Sequence, residues 1–121
     1  MSWSPDAAYP LNTQFVQGYK SKFAEAEPTE DAADAFAAAQ ILQAAVEAVG
    51  SLDQARLTQW VHESKVTTIL GPLSWDDRGA PQQSFILAQW QSGRSRIVMP
   101  RNVANTDEIV FPKPRWRGQA T

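Results

Sequence analysis

The stretch from Ala32 to Val49 constrains the fold more than any other segment, because it is almost continuously apolar and rich in alanine. At helical spacing it presents two adjacent apolar faces rather than one stripe. The first face comprises Ala37, Ile41, Ala44, Ala45 and Ala48, and the second comprises Ala38, Leu42, Val46 and Val49. This pattern predicts a helix that packs on more than one side, with alanines that let a neighbour approach closely.

Local signals define both ends of this helix. Thr29 is a candidate N-cap, and the acidic residues that follow it occupy the first turns, where the helix dipole favours negative charge. Gly50 is expected to stop the helix as a C-terminal cap, because glycine adopts the left-handed conformation at low cost.

Two further helices are predicted, one on each side of the alanine-rich helix. The first runs from Leu11 to about Ala26 and ends there because Glu27 precedes a proline. The third opens with the capping box Ser51-Leu52-Asp53-Gln54 and runs to about Glu63. Their buried stripes are Phe15, Val16, Tyr19 and Phe23 in the first helix, and Leu57, Trp60 and Val61 in the third.

The second half of the chain is typical of short strands. Strands are predicted at Val66–Leu70, Gln83–Gln91 and Arg94–Met99, with a turn at Asp76–Gly79 and a tight hairpin turn at Ser92-Gly93. Three helices followed by a small, mostly antiparallel set of strands predict an α/β protein that is α+β within this piece.

Both ends of the chain are predicted to be irregular. Residues 1–10 hold two prolines and form a lead-in. Residues 100–121 are expected to be an extended tail, with Ile109, Val110 and Phe111 as its apolar anchor.

Bulk composition limits the class of protein. The 121 residues suit a single domain over 1–121, and the absence of cysteine excludes disulfides and thiolate chemistry. No apolar run is expected to reach the roughly 20 residues of a membrane span. The first residues lack the basic start and apolar core of a signal peptide, so the chain as written is expected in the cytoplasm unless it is a cut piece.

The net charge of -2 is unevenly distributed along the chain. Residues 1–63 carry nine acids and three bases, whereas residues 64–121 carry four acids and eight bases. The two ends of one folded domain attract each other, or the difference is plain surface variation, or an acidic face meets a basic face of a second copy. Nucleic acid is not an expected partner, because no dense basic stripe is interleaved with aromatic residues.

Catalytic and metal chemistry have little support in the sequence. His62 is the only histidine, and a surface position near a helix C-terminus explains it. Asp76-Asp77 is explained by a turn. Aromatic residues are better candidates for recognition. Among the five tryptophans, core or hinge packing is expected for Trp60, Trp75 and Trp90, whereas Trp3 and Trp116 are freer.

The order of several segments closely resembles part of a receptor family. The segments are Phe36–Val46, Gly50–Asp53, Gly71–Asp76, Ala88–Gly93 and the closing Phe111–Trp116. As an ordered set they resemble the C-terminal part of the periplasmic leucine/isoleucine/valine-binding proteins of ABC importers. The resemblance extends from about Asn12 to Trp116.

The resemblance implies a partial lobe of a type I periplasmic-binding fold, a non-catalytic function and no cofactor or metal. It implies a small-molecule amino acid or amide as ligand, an ABC permease as partner and a periplasmic location. Phe36 is similar to the family's cleft-facing tyrosine and keeps the flat apolar wall without the hydroxyl. Asp34 and Ala33 could line the same cleft edge, so these three residues are the ligand-binding candidates.

Two functional hypotheses follow. The first is a solute-binding domain related to amino-acid or amide uptake, whose ligand binding is weak or lost in this form. The second is a stand-alone interaction module that self-associates and takes a new partner or ligand. Both predict a homo-oligomer, because a partial lobe leaves strand edges unpaired and apolar surface uncovered.

Overall fold

The computed structural model describes residues 1–83 and 85–115, in which three helices precede five short strands. These elements are α1 (Asn12–Lys22), α2 (Glu30–Val49), α3 (Gln54–Glu63), β1 (Val66–Thr68), β2 (Gly71–Trp75), β3 (Pro81–Gln82), β4 (Leu87–Gln91) and β5 (Arg94–Met99). Two small antiparallel sheets follow the helices, which confirms the predicted fold class.

The three-stranded sheet differs from its sequence-based prediction. Its order is β1-β2-β3, with Val66 opposite Leu73. The predicted strand Val66–Leu70 ends at Thr68, because the next two residues turn the chain back into β2. β2 was not predicted, because Gly71-Pro72 is typical of a turn rather than of a strand.

The hairpin of β4 and β5 confirms the predicted second pair of strands and its turn at Ser92-Gly93. The predicted strand Gln83–Gln91 is strand only from Leu87 onward. Ser84, within that prediction, lies outside the described residues.

Of the predicted helix caps, the two of α2 are confirmed and the N-cap of α3 is wrong. The Thr29 side chain accepts a hydrogen bond from the Ala32 N–H, and Gly50 has a φ of 63°, so both predicted caps of α2 are confirmed. The N-cap of α3 is Asp53 rather than Ser51, because Asp53 Oδ1 accepts from the Arg56 N–H at 3.0 Å.

The first helix is shorter than predicted. It ends at Lys22 rather than near Ala26. The cause is local: Ala24 and Glu25 have positive φ values of 53° and 64°, which a right-handed helix does not accommodate.

The first hydrophobic cluster lies between α2 and the three-stranded sheet. Its buried residues are Trp3, Ala33, Ala37, Ile69, Leu70 and Leu73. Gln40 adds a polar link, since its Oε1 accepts from the Ile69 N–H at 3.0 Å. The predicted second face of α2 is only partly covered by the described residues: Val46 and Val49 are half-buried, whereas Ala38 is exposed and Leu42 is 58% exposed.

The second cluster joins the hairpin to the tail. It consists of Ala7, Ile86, Ile97 and Val103, with Tyr9 packed against it. The buried anchor of the tail is therefore Val103. The prediction of Ile109 and Phe111 in that role is wrong, because they are 53% and 88% exposed. The tail beyond residue 115 lies outside the described residues.

The lead-in, residues 1–10, holds the two clusters together. Trp3 belongs to the first cluster, and its Nε1 donates to the Oδ1 of buried Asn12 at 2.7 Å. Ala7 belongs to the second cluster. Met1 and Ile86 exchange backbone hydrogen bonds of 3.2 and 2.9 Å. The expectation that Trp3 is freer than the other tryptophans is thus wrong.

The length and composition of α2 correct the expectation that no segment is long and apolar enough to span a membrane. Among the described residues, α2 is long enough and apolar enough to cross a membrane, judged by length and composition only. Core helices meet the same criterion, and Ala33, Ala37 and Ala45 of α2 are buried here.

Candidate functional site

The largest group of partly exposed aromatic side chains lies where α1 meets α2. Along α1, the Tyr19 ring is 6.0 Å from Phe15 and 4.5 Å from Phe23, between centroids. Phe36 of α2 packs on Phe15 at 4.9 Å. Helical spacing produces this row, because residues four apart lie on one face.

These rings form a surface cavity of about 390 Å³, which we call the aromatic groove. It is lined by Leu11, Gln14, Phe15, Gly18, Tyr19, Lys22, Phe23 and Phe36. The groove is predominantly apolar, and Lys22 is the only residue of this lining with a formal charge. The Lys22 Nζ lies 5.9 Å from the centroid of the Phe23 ring, within the range of a cation–π contact.

Phe36 forms the part of the groove contributed by α2. The side chain is 41% exposed, although its neighbours Ala33 and Ala37 are buried. Phe36 therefore sits at the edge of the buried face, with Phe15 against one side and accessible surface on the other. This placement suits a side chain that presents a flat apolar wall to a ligand.

The other two candidate residues lie in different environments. Ala33 is completely buried in the first cluster and has no accessible surface. Asp34 is exposed, and its Oδ1 accepts from the Ser2 hydroxyl at 3.3 Å. The structure thus brings Asp34 to the lead-in, while Phe36 faces α1.

Glu30 shares the Ser2 contact and was not singled out by the sequence. Its Oε1 accepts hydrogen bonds from the Ser2 hydroxyl at 2.6 Å and from the Ser2 backbone N–H. The Ser2 side chain, followed by its backbone, holds the pKa of Glu30 below its usual value of 4.5, against a smaller opposing effect of burial. The carboxylate therefore stays charged at neutral pH and ties the lead-in to the start of α2.

Residues of catalytic type are not grouped. In the described part of the chain, no three His, Cys, Asp or Glu side chains are placed to hold a metal ion. His62 is exposed in the last turn of α3 and lies close to Gly79 in the turn after β2.

The tryptophans are placed differently from the sequence-based expectation. Trp60 and Trp75 are half-buried, and Trp75 packs against the first cluster. Trp90 was expected in core or hinge packing but is 77% exposed, so that prediction is wrong. Trp116 lies outside the described residues. Neither the pattern of apolar and polar residues in β4 nor its composition predicts that Trp90 is exposed.

The sequence model of the family described as periplasmic binding protein matches residues 1–95. This chain belongs to the periplasmic binding protein family. The match covers α1 to α3 and the strands as far as β4, so it includes the aromatic groove. The family is periplasmic, and its members are non-enzymatic solute-binding proteins.

Two solved periplasmic binding proteins resemble this one in structure. The solute-binding protein of an ABC transporter from R. palustris, in complex with benzoate, has 24% sequence identity and a TM-score of 0.66; the match covers 81% of this chain and 28% of that chain. A leucine-binding protein from Thermotoga maritima has 23% sequence identity and a TM-score of 0.65. That match covers 90% of this chain and 31% of the leucine-binding protein. At such identities the likeness shows the fold.

This periplasmic binding protein chain spans less than a third of the length of both solved relatives. It matches part of a periplasmic-binding fold, as the sequence predicted. A comparison with curated proteins finds no match.

Proposed function

We propose that this chain contributes one wall of the solute cleft of a periplasmic binding protein for amino acids or amides, and that the aromatic groove is this wall. The observation that carries the proposal is the half-exposed Phe36 ring packed at a tilt of 43° against the Phe15 ring, 4.9 Å between centroids. A preformed pair of rings offers apolar contact area at little cost in conformational entropy.

The chemistry of the groove suits a small solute with an apolar body. Its volume of about 390 Å³ lies within the range of small-molecule sites. One solved relative is a leucine-binding protein and the other is in complex with benzoate, and both of these small molecules have an apolar body and a carboxylate. In this proposal Phe36 contacts the apolar part of the solute. Asp34 and Ala33 do not line the groove, because Asp34 bonds to Ser2 and Ala33 is completely buried.

The same proposal assigns an ABC permease as the membrane partner and the periplasm as the location. The chain supplies one part of a cleft that closes by hinge motion in two-lobed receptors. Binding by this chain alone is therefore expected to be weak.

A ligand that binds only the native state raises the melting temperature with concentration. The test is a thermal-shift titration with branched-chain amino acids, small amides and benzoate. We expect a graded rise with at least one solute that is lost in Phe36→Ala. Phe85→Ala is the matched control, because Phe85 is 69% exposed and lies outside the groove. A flat response across the panel, or a rise that Phe36→Ala leaves unchanged, contradicts the proposal.

A second candidate function is a self-associating interaction module. It is favoured by the second apolar face of α2, which the described residues do not fully cover. On this face Leu42 is 58% exposed and lines a cavity of about 340 Å³. Ala38, Ile41, Leu57 and Val61 also line this cavity. The acidic first half and basic second half of the chain add charge complementarity between copies.

A further inference from the structure

We propose that this chain has a second binding site, for a small organic oxyanion, between the β4–β5 hairpin and the strap formed by residues 106–115. The site is separate from the aromatic groove and does not depend on the proposed solute function. Its cationic groups are the guanidinium groups of Arg94 and Arg96, and its ligand carries a carboxylate or phosphate group.

The strand register places both arginines on one face of the hairpin. Arg94 is opposite Gln91, and Arg96 is opposite Gln89. Alternate residues of a strand point to the same face, and directly opposed residues share it. The Cα atoms of the two arginines are therefore roughly 6–7 Å apart on a common surface.

The strap is held over this same face by the two glutamines. Gln89 accepts from the Val110 N–H and donates to the Val110 carbonyl, both at 2.9 Å. Gln91 donates to the Glu108 carbonyl at 2.8 Å. These bonds fix the wall that faces the arginines, so the cavity between strap and hairpin is formed before a ligand arrives.

This cavity has a volume of about 510 Å³, which is ample for a small organic ligand. The side chains that matter for recognition are Ser92, Arg94, Arg96, Thr106, Trp90 and Glu108. Serine and threonine hydroxyls can donate to an oxyanion, and Val110 and Pro114 in the lining offer apolar contacts. Trp90 is opposite Ser95, on the other face of the hairpin from the arginines, and borders the cavity.

The charges around the cavity favour an anion. Within residues 1–83 and 85–115, the ion pairs join Lys20 to Glu27 and Arg101 to Asp107. Neither Arg94 nor Arg96 has a carboxylate partner there, although guanidinium groups bind carboxylate and phosphate strongly through paired hydrogen bonds. Glu108 is the one acidic residue in the lining, so the cavity retains a net positive charge.

The test is a titration of the full chain with phenyl phosphate and with inorganic phosphate, followed by the indole N–H resonances in two-dimensional NMR. Trp90→Phe assigns the Trp90 resonance. We expect a saturable shift of this resonance with phenyl phosphate, and weaker binding of inorganic phosphate, which lacks the flat apolar part. Each lost guanidinium should weaken binding about tenfold.

The decisive variant is Arg94→Gln combined with Arg96→Gln, and Arg78→Gln on the distant turn is the matched control. Both arginines of the site are exposed, so unchanged melting curves are expected to verify folding. No saturable shift in the wild type, or equal affinity in the double variant, overturns the proposal. Phe36→Ala should leave this titration unchanged, which keeps its outcome independent of the proposed solute function.

Discussion

At the scale of single residues, Gly71 is constrained twice. Its φ of 90° favours glycine, and a Cβ placed there would lie 2.7 Å from the Tyr9 ring. Tyr9 packs against the second cluster, so its ring cannot move away without loss of contacts. We expect Gly71→Ala to lower the free energy of unfolding by about 3 kcal/mol, from backbone strain and overpacking together. Chemical denaturation measures this change.

The control for backbone strain is Gly93→Ala in the hairpin turn. Gly93 has a φ of 79°, but a Cβ there would meet nothing within 4 Å. This variant should cost about 1 kcal/mol, from strain alone. Equal losses in the two variants would show that the Tyr9 contact contributes nothing.

The residues whose roles were predicted correctly from the sequence make their contacts with residues close by in the sequence. Thr29 caps the third residue after it, and Gly50 ends the helix to which it is attached. Trp3 was not predicted, because its burial depends on α2 and on the strands that follow. Asn12 was not predicted either, because its side chain bonds to Trp3 and to backbone carbonyls of an irregular segment. Phe36 could be singled out by resemblance, but its contact with the Phe15 ring depends on the packing of α1 on α2.

At the scale of elements, β2 shows why a proline can mislead. Pro72 is opposite Thr67 of β1, while β3 pairs only with Ser74 and Trp75. At Pro72 the strand is therefore locally an edge, where a missing N–H removes no ladder bond. Composition alone cannot reveal where a neighbouring strand ends.

The strap provides an element-scale prediction. Gln89→Ala removes both side-chain bonds to Val110, so the strap should separate from the hairpin. We expect faster amide hydrogen exchange at Val110 and a loss of about 1–2 kcal/mol in unfolding free energy. Exchange monitored by NMR tests this. Gln82→Ala is the control, because Gln82 is exposed and belongs to the three-stranded sheet rather than to the hairpin, and it should leave Val110 protected.

At the scale of the whole molecule, exposed apolar surface predicts self-association. Leu42→Glu places a charge on the second apolar face of α2 and should shift the protein toward monomer. Leu52→Glu is the matched control, because Leu52 is 74% exposed but does not line the α2 cavity. Sedimentation velocity across a wide concentration range measures the change. A wild-type chain that stays monomeric throughout contradicts the prediction.

The lead-in that joins the two clusters also limits the order in which contacts can form as the chain folds. Met1 bonds to Ile86, 85 residues away, and the second cluster is complete only with Val103. The lead-in therefore lacks its full set of partners until residues as far along the chain as Val103 have joined it. Such non-local contacts slow folding, because loop closure precedes the stabilising contacts. Until then Ala7 and Tyr9 lack the partners that bury them, so these apolar side chains stay accessible in the partly folded chain.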